Sequence, residues 1–170
     1  MPRVILIGPP GAGKSSVAKA LARLWQVDIC DTDHLIEERA GKKISAIFVE
    51  DGETSFRALE KEVVAESVLG STPILSLGGG AVLDPDSQRA IRDSGAKVIF
   101  LDVSISQAAP RVGFNKDRPL LLINPRQQWL ALMEKRRPIY ESLASVVVST
   151  DNKKASEVAH EINTWLAANG

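Results

Sequence analysis

The sequence predicts an α/β fold, a three-layer αβα sandwich built on a five-stranded parallel sheet. Three observations carry that expectation. Short β-branched runs alternate with longer segments whose apolar residues recur three or four apart, the pattern of strands joined by crossover helices. The first run, VILI at 4–7, breaks into a glycine-rich loop and then into a helix-forming stretch. The 170 residues, 44% of them hydrophobic, suit one domain spanning 1–170 with a sheet covered on both faces.

The strands follow in order as VILI (4–7), VDICD (27–31), PILSL (73–77), KVIFLD (97–102) and SVVVS (145–149). A helix starts at Lys14. Residues 32–72 hold about three helical pieces, more than one crossover needs, and read as a substrate-binding helical insertion. Within it Phe56, Leu59, Val63 and Val64 form one apolar stripe. In the helix from Arg126, Trp129, Met133, Arg136 and Tyr140 recur at near-helical spacing, and over 154–168 Val158, Ile162, Trp165 and Leu166 do the same. Residues 113–124, GFNKDRPLLLIN, combine turn formers and charges without a clear period and read as a short lid.

Composition excludes several classes. Twenty-one basic side chains balance 21 acidic ones, which argues against a nucleic-acid partner bound through bulk charge. Cys30 is the only cysteine, and His34 and His160 are the only imidazoles. An internal disulfide, a cysteine cluster and a structural zinc site are therefore not expected. This thiol usage fits a reducing cytoplasm. No signal-like leader and no apolar run near ~20 residues occurs, so no membrane segment is expected. With no apolar stripe left over once helices cover the sheet, a monomer is expected.

Gly8 to Ser15 matches G-x-x-x-x-G-K-[ST] between a strand and a helix, the context in which that pattern cradles phosphates. Gly8, Gly11 and Gly13 allow positive φ, which turns backbone N–H groups toward phosphate oxygens. The helix start adds its unsatisfied N–H groups and positive dipole end. Lys14 can reach the β and γ phosphates, and the Ser15 hydroxyl can ligate Mg²⁺. Gly11, Ala12, Gly13, Lys14, Ser15 and Ser16 are the expected nucleotide contacts. A guanine reader would need Asn-Lys-x-Asp. NKDR (115–118) and NKKA (152–155) both lack the final aspartate, and no D-x-x-G occurs, which favours ATP.

The acceptor side is read from four stretches. In DTD, Asp33 can orient a substrate hydroxyl for attack, and Asp31 can act on Mg²⁺ through water. Alternatively, Thr32 or Asp33 simply caps the next helix. Arg57 and Glu60, three apart, form either a surface pair or an arginine fork held by Glu60 and aimed at a carboxylate. Gly78, Gly79 and Gly80 let a small ligand approach backbone N–H groups, or serve a tight turn. Arg136 falls inside an apolar stripe, between Lys135 and Arg137, and needs an anion, either an internal carboxylate or a substrate. Arg111, Lys116 and Arg118 surround the lid. Arg118, next to Pro119 and an apolar LLLI, is preferred over Lys116 as the cation that closes over the phosphates.

GPPGAGKSS, DTD, FVEDGETSFRALE, LSLGGGAV, RPLL and MEKRRPIYESLA stand in the order and at about the spacing found in shikimate kinases, over roughly residues 3–150. The sequence resembles that family. The resemblance implies the P-loop fold of nucleoside monophosphate kinases, with strand order 2-3-1-4-5. It implies transfer of the ATP γ-phosphate to the 3-hydroxyl of shikimate, with Mg²⁺, in aromatic amino-acid biosynthesis. Lys14, Asp33 and Arg118 would be catalytic, and Arg57 and Arg136 would bind the carboxylate. Gly79 and Gly80, beside Gly78, would line the site, and Arg111 would lie against adenine. Ser16, Pro110 and Phe114 depart from the family's common residues. A gluconate or nucleoside monophosphate kinase, and a non-catalytic ATP-binding module, are the competing readings. The DTD, FR and GGG set and the intact Lys14, Ser15, Asp33 and Arg118 favour shikimate phosphorylation over them.

Overall fold

The computed structural model describes residues 3–112 and 124–170. Five parallel strands, β1 (Val4–Ile7), β2 (Ile29–Asp31), β3 (Ile74–Ser76), β4 (Lys97–Asp102) and β5 (Val146–Ser149), lie in the order β2-β3-β1-β4-β5. This is the expected sheet. All four residues of β1 are buried, as a central strand covered on both faces requires.

Eight helices flank the strands among the described residues: α1 (Lys14–Trp25), α2 (Thr32–Ala40), α3 (Ile44–Glu50), α4 (Gly52–Leu69), α5 (Pro85–Asp93), α6 (Ile105–Val112), α7 (Pro125–Leu143) and α8 (Ala155–Asn169). A single 3₁₀ turn, Ala81–Leu83, precedes α5. The three pieces expected in 32–72 are α2, α3 and α4. β2 is shorter than expected because Val27, two residues past α1, is still engaged in the turn that closes that helix. Gln26 takes a left-handed conformation there, and the Val27 N–H donates back to the Ala22 carbonyl at 3.1 Å.

Register places the C-terminal ends of the strands along one edge of the sheet. Asp31 and Leu6 both pair with Ser76, Ile7 with Phe100, and Asp102 with Ser149. In open parallel sheets that edge is where ligands bind.

Two apolar clusters hold the molecule together. The larger joins β1, β3 and β4 to the helices on both faces, with Tyr140 of α7 packed on Phe100 of β4 at 5.0 Å between ring centroids. The expected stripe of α8 is buried at Val158, Ile162 and Leu166, with Trp165 partly buried. The smaller cluster is separate and consists of Ile36, Ile44, Ile47, Phe56 and Val63, from α2, α3 and α4 alone. Arg3 fastens the end of α4 to the start of β1. Its guanidinium donates to the carbonyls of Ser67 and Val68 and, at 2.9 Å, of Thr72, satisfying carbonyls that a helix terminus leaves open. Among the described residues no helix is long and apolar enough to cross a membrane.

Candidate active site

The loop between β1 and α1 turns through glycines with φ near +84° at Gly11 and +86° at Gly13, a region where other residues are strained. Gly11 is required for a second reason. A Cβ there would come 2.8 Å from Val112 Cγ2 and 3.0 Å from the Ala108 carbonyl oxygen, so α6 packs directly on the loop. Arg111, in the last turn of α6, completes that contact by donating to the Gly11 carbonyl at 2.9 Å. Lys14 Nζ donates to the carbonyls of Gly8 (2.8 Å) and Pro9 (3.1 Å), which holds its ammonium over the loop.

A cavity of about 410 Å³ opens in front of this loop, lined by Lys14, Ser15, Asp31, Asp33 and Arg111 among others. Ser15 Oγ donates to Asp31 Oδ2 at 2.9 Å. The other carboxylate oxygen of Asp31 caps α2, accepting the N–H groups of Asp33 (3.0 Å) and His34 (3.3 Å). The cap is therefore Asp31, not Thr32 or Asp33. The extended backbone at Asp31 is what an N-cap needs, and it turns Thr32 inward. Thr32 is fully buried, and its Oγ1 accepts the Gly78 N–H at 3.0 Å.

Asp33 is thereby directed toward the triple glycine. A Cβ on Gly78 would run into Asp33 Oδ1, and one on Gly80 into the Arg57 guanidinium. A Cβ on Gly79 would sit 3.2 Å from Pro10 Cδ and 3.4 Å from Arg136 Nη1. The three glycines are thus a floor against which Asp33, Arg57 and Arg136 lie.

Arg57 and Glu60 are not a surface pair. Arg57 Nη1 lies 2.7 Å from Glu60 Oε1, and Glu60 is 4% exposed. Burial pushes the Glu60 carboxyl above its usual range. The charges of Arg57 and Arg136 oppose that rise, and the charge of Asp33 adds to it. Arg136, itself 5% exposed, belongs to the same electrostatic group. Below it Tyr140 donates to the Gly79 carbonyl at 2.6 Å, and burial pushes its phenol up to about 12 although Arg136 pulls the other way.

Two guanidiniums, Arg57 and Arg136, are thus gathered with the carboxylates of Glu60 and Asp33 on the glycine floor, beside the phosphate-binding loop. Such a site suits an anionic, hydroxylated small molecule next to a nucleoside triphosphate. Arg118, Lys116, Phe114 and all of the expected lid except Asn124 lie outside the described residues.

Several anchors were not expected from sequence. Trp129 Nε1 donates to the Pro10 carbonyl at 2.9 Å. Arg137 holds the end of β4 through two bonds to Asp102, at 2.9 and 3.1 Å. A second cavity of about 330 Å³ lies behind the loop, lined by Gly13, Val17, Arg111, Thr150, Lys153 and Val158 among others. The signal available for Thr150 and Lys153 was their place just after a strand, at the ligand-binding edge of the sheet.

Comparison with known proteins points the same way. The family model for shikimate kinase matches residues 10–167. A shikimate kinase of Thermobifida fusca (strain YX) is 49% identical over 169 residues, covering 99% of this chain and 97% of the relative. The solved structure of a shikimate kinase from Acinetobacter baumannii in complex with shikimate superposes with a TM-score of 0.95. It is 32% identical and covers 99% of this chain and 94% of that one. A shikimate kinase from Aquifex aeolicus superposes with a TM-score of 0.84 at 32% identity, covering 98% and 97%.

Proposed function

The chain belongs to the shikimate kinase family, and from that membership we propose how its own residues divide the phosphorylation of shikimate by ATP. In this reaction the 3-hydroxyl oxygen of shikimate bonds to the γ-phosphorus, and the bond from phosphorus to the β–γ bridging oxygen breaks. ADP leaves with that electron pair, and the hydroxyl proton is released. The product, shikimate 3-phosphate, belongs to aromatic amino-acid biosynthesis.

On the donor side, backbone N–H groups from Gly11 to Ser16 and the N-terminus of α1 hold the phosphates. Lys14, already poised over the loop carbonyls, neutralises charge on the β and γ oxygens. Arg111, with Thr150 and Lys153 across the smaller cavity, frames a seat for the adenine. On the acceptor side, Arg57 and Arg136 bind the shikimate carboxylate, with Glu60 holding Arg57 in place. Asp33 accepts the hydrogen of the attacking hydroxyl, and the floor of Gly78, Gly79 and Gly80 admits the ring. The acceptor's carboxylate and hydroxyls suit the side chains gathered there, and that gathering of Asp33, Arg57, Glu60 and Arg136 carries the reading.

Ser15 and Asp31 fit Mg²⁺. The Ser15 hydroxyl would hold the ion directly and the Asp31 carboxylate through water, and the two side chains already meet at 2.9 Å. Among the described residues no cluster of three His, Cys, Asp or Glu could hold a metal alone, which suits an ion carried largely by the nucleotide and water. When bound, the ion supplies charge stabilisation to the β and γ phosphates. A cytoplasmic location, supported by the single cysteine, and a monomeric state are part of the same proposal. Size-exclusion chromatography tests the monomer.

A coupled ADP-release assay across shikimate, gluconate and nucleoside monophosphates tests the function. Turnover is expected with shikimate, and its absence at millimolar shikimate would overturn the assignment.

A further inference from the structure

We propose that Trp129 is a positioning residue that holds the phosphate loop in register with the acceptor floor. Its indole N–H donates to the carbonyl of Pro10, 119 residues away, in a buried environment. Pro10 is buried as well, and its ring lies against Gly79, leaving no room for a relaxed side chain there. The Gly79 carbonyl in turn accepts the hydroxyl of Tyr140. Trp129 and Tyr140 stand about three turns apart on α7 and so share one face. Arg136 lies between them on the same buried stripe.

The contacts form a closed circuit from Trp129 to Pro10, to Gly79, to Tyr140, and back along α7. Pro10 belongs to the loop that sets where the γ-phosphate sits. Gly79 and Arg136 belong to the surface that sets where the acceptor sits. One helix, α7, therefore touches both the loop that holds the donor and the floor that holds the acceptor. This matters because phosphoryl transfer needs the attacking oxygen in line with the bond that breaks, and a misplacement of ~1 Å can cost about a hundredfold in rate. The indole N–H is essential to the circuit. Among the described residues it is the donor found on the buried Pro10 carbonyl, and without it the loop moves to find another.

The inference rests on transfer from ATP to shikimate. Trp129→Phe keeps an aromatic ring and removes the N–H, whereas Pro10→Ala keeps the carbonyl and removes the ring that meets Gly79. Each is expected to lower kcat about tenfold while KM for ATP and for shikimate stays within about threefold, because each site retains its own contacts. The double variant is expected to be no worse than the poorer single one, since both break the same circuit. If Trp129 only fills the core, Trp129→Phe lowers Tm and leaves kcat within about twofold of wild type, which overturns the proposal. Multiplying losses in the double variant overturn it too. If Trp129→Phe does not fold, Pro10→Ala decides: a wild-type kcat in that variant overturns the circuit. Wild-type protein inactive on shikimate would instead overturn the assigned reaction.

Discussion

The hydroxyl of Thr32 accepts the backbone N–H of Gly78 at 3.0 Å, so the residue between the two aspartates is fastened to the first glycine of the acceptor floor. Both groups are buried. Thr32→Val keeps the shape and strands the N–H, at a cost of about 1–3 kcal/mol, or roughly 2–12 °C in Tm for a domain of this size. Thr32→Ser keeps the acceptor and is expected to retain most of that stability. Thermal unfolding of both variants checks this, and a wild-type Tm for the valine variant would refute it.

Arg57 and Arg136 are expected to separate the two substrates. If either holds the shikimate carboxylate as proposed, replacing it with alanine is expected to raise KM for shikimate by about 10- to 100-fold. KM for ATP is expected to stay within about threefold. Steady-state kinetics with each substrate varied in turn makes the measurement. Equal losses for both would mean that the arginines hold the fold instead.

Glu60 gives the site a pH signature in stability. Burial raises its folded-state pKa above the unfolded value despite Arg57 and Arg136. Its carboxyl therefore contributes stability in full below the unfolded pKa and loses that contribution as pH rises through the folded one. Glu60→Gln has no such titration. The Tm of wild type minus that of Glu60→Gln is expected to shrink as pH climbs from below the ordinary carboxylate range toward neutrality. A difference that grows over this range would show that the arginines outweigh burial.

Asp33→Asn preserves size and removes the carboxylate facing the glycine floor. In its proposed role of taking up the hydrogen of the attacking hydroxyl, Asp33 is expected to be worth about 10²- to 10⁴-fold in kcat. ATP affinity, measured by titration calorimetry without acceptor, is expected to be unchanged. An asparagine variant with wild-type turnover would reduce Asp33 to a structural residue.

Much of this was legible in the sequence because it is written locally. The alternation of strands and helices gave the layers, and the spacing of Gly8, Gly13, Lys14 and Ser15 gave the phosphate loop. The three-residue step from Arg57 to Glu60 gave their pairing. What escaped depends on atoms brought together by the tertiary fold. Asp31, rather than a neighbour, became the cap because the choice turns on backbone angles at the end of β2. Trp129 and Tyr140 read as core because a buried aromatic gives the same apolar period whether or not its polar atom has a partner. Thr150 and Lys153 belong to no short motif, and only the sheet's edge places them beside Arg111.

The apolar cluster shared by Ile36, Ile44, Ile47, Phe56 and Val63 is separate from the one beneath the sheet. Sequence drift in the two can therefore be absorbed independently. Residues around this small cluster, such as Leu35, Phe48 and Leu59, can be recombined in a library without repacking the strands that carry the nucleotide loop. In evolutionary terms the inner faces of these helices are free to vary together, while Val64 and Val68 keep α4 seated in the cluster of the sheet.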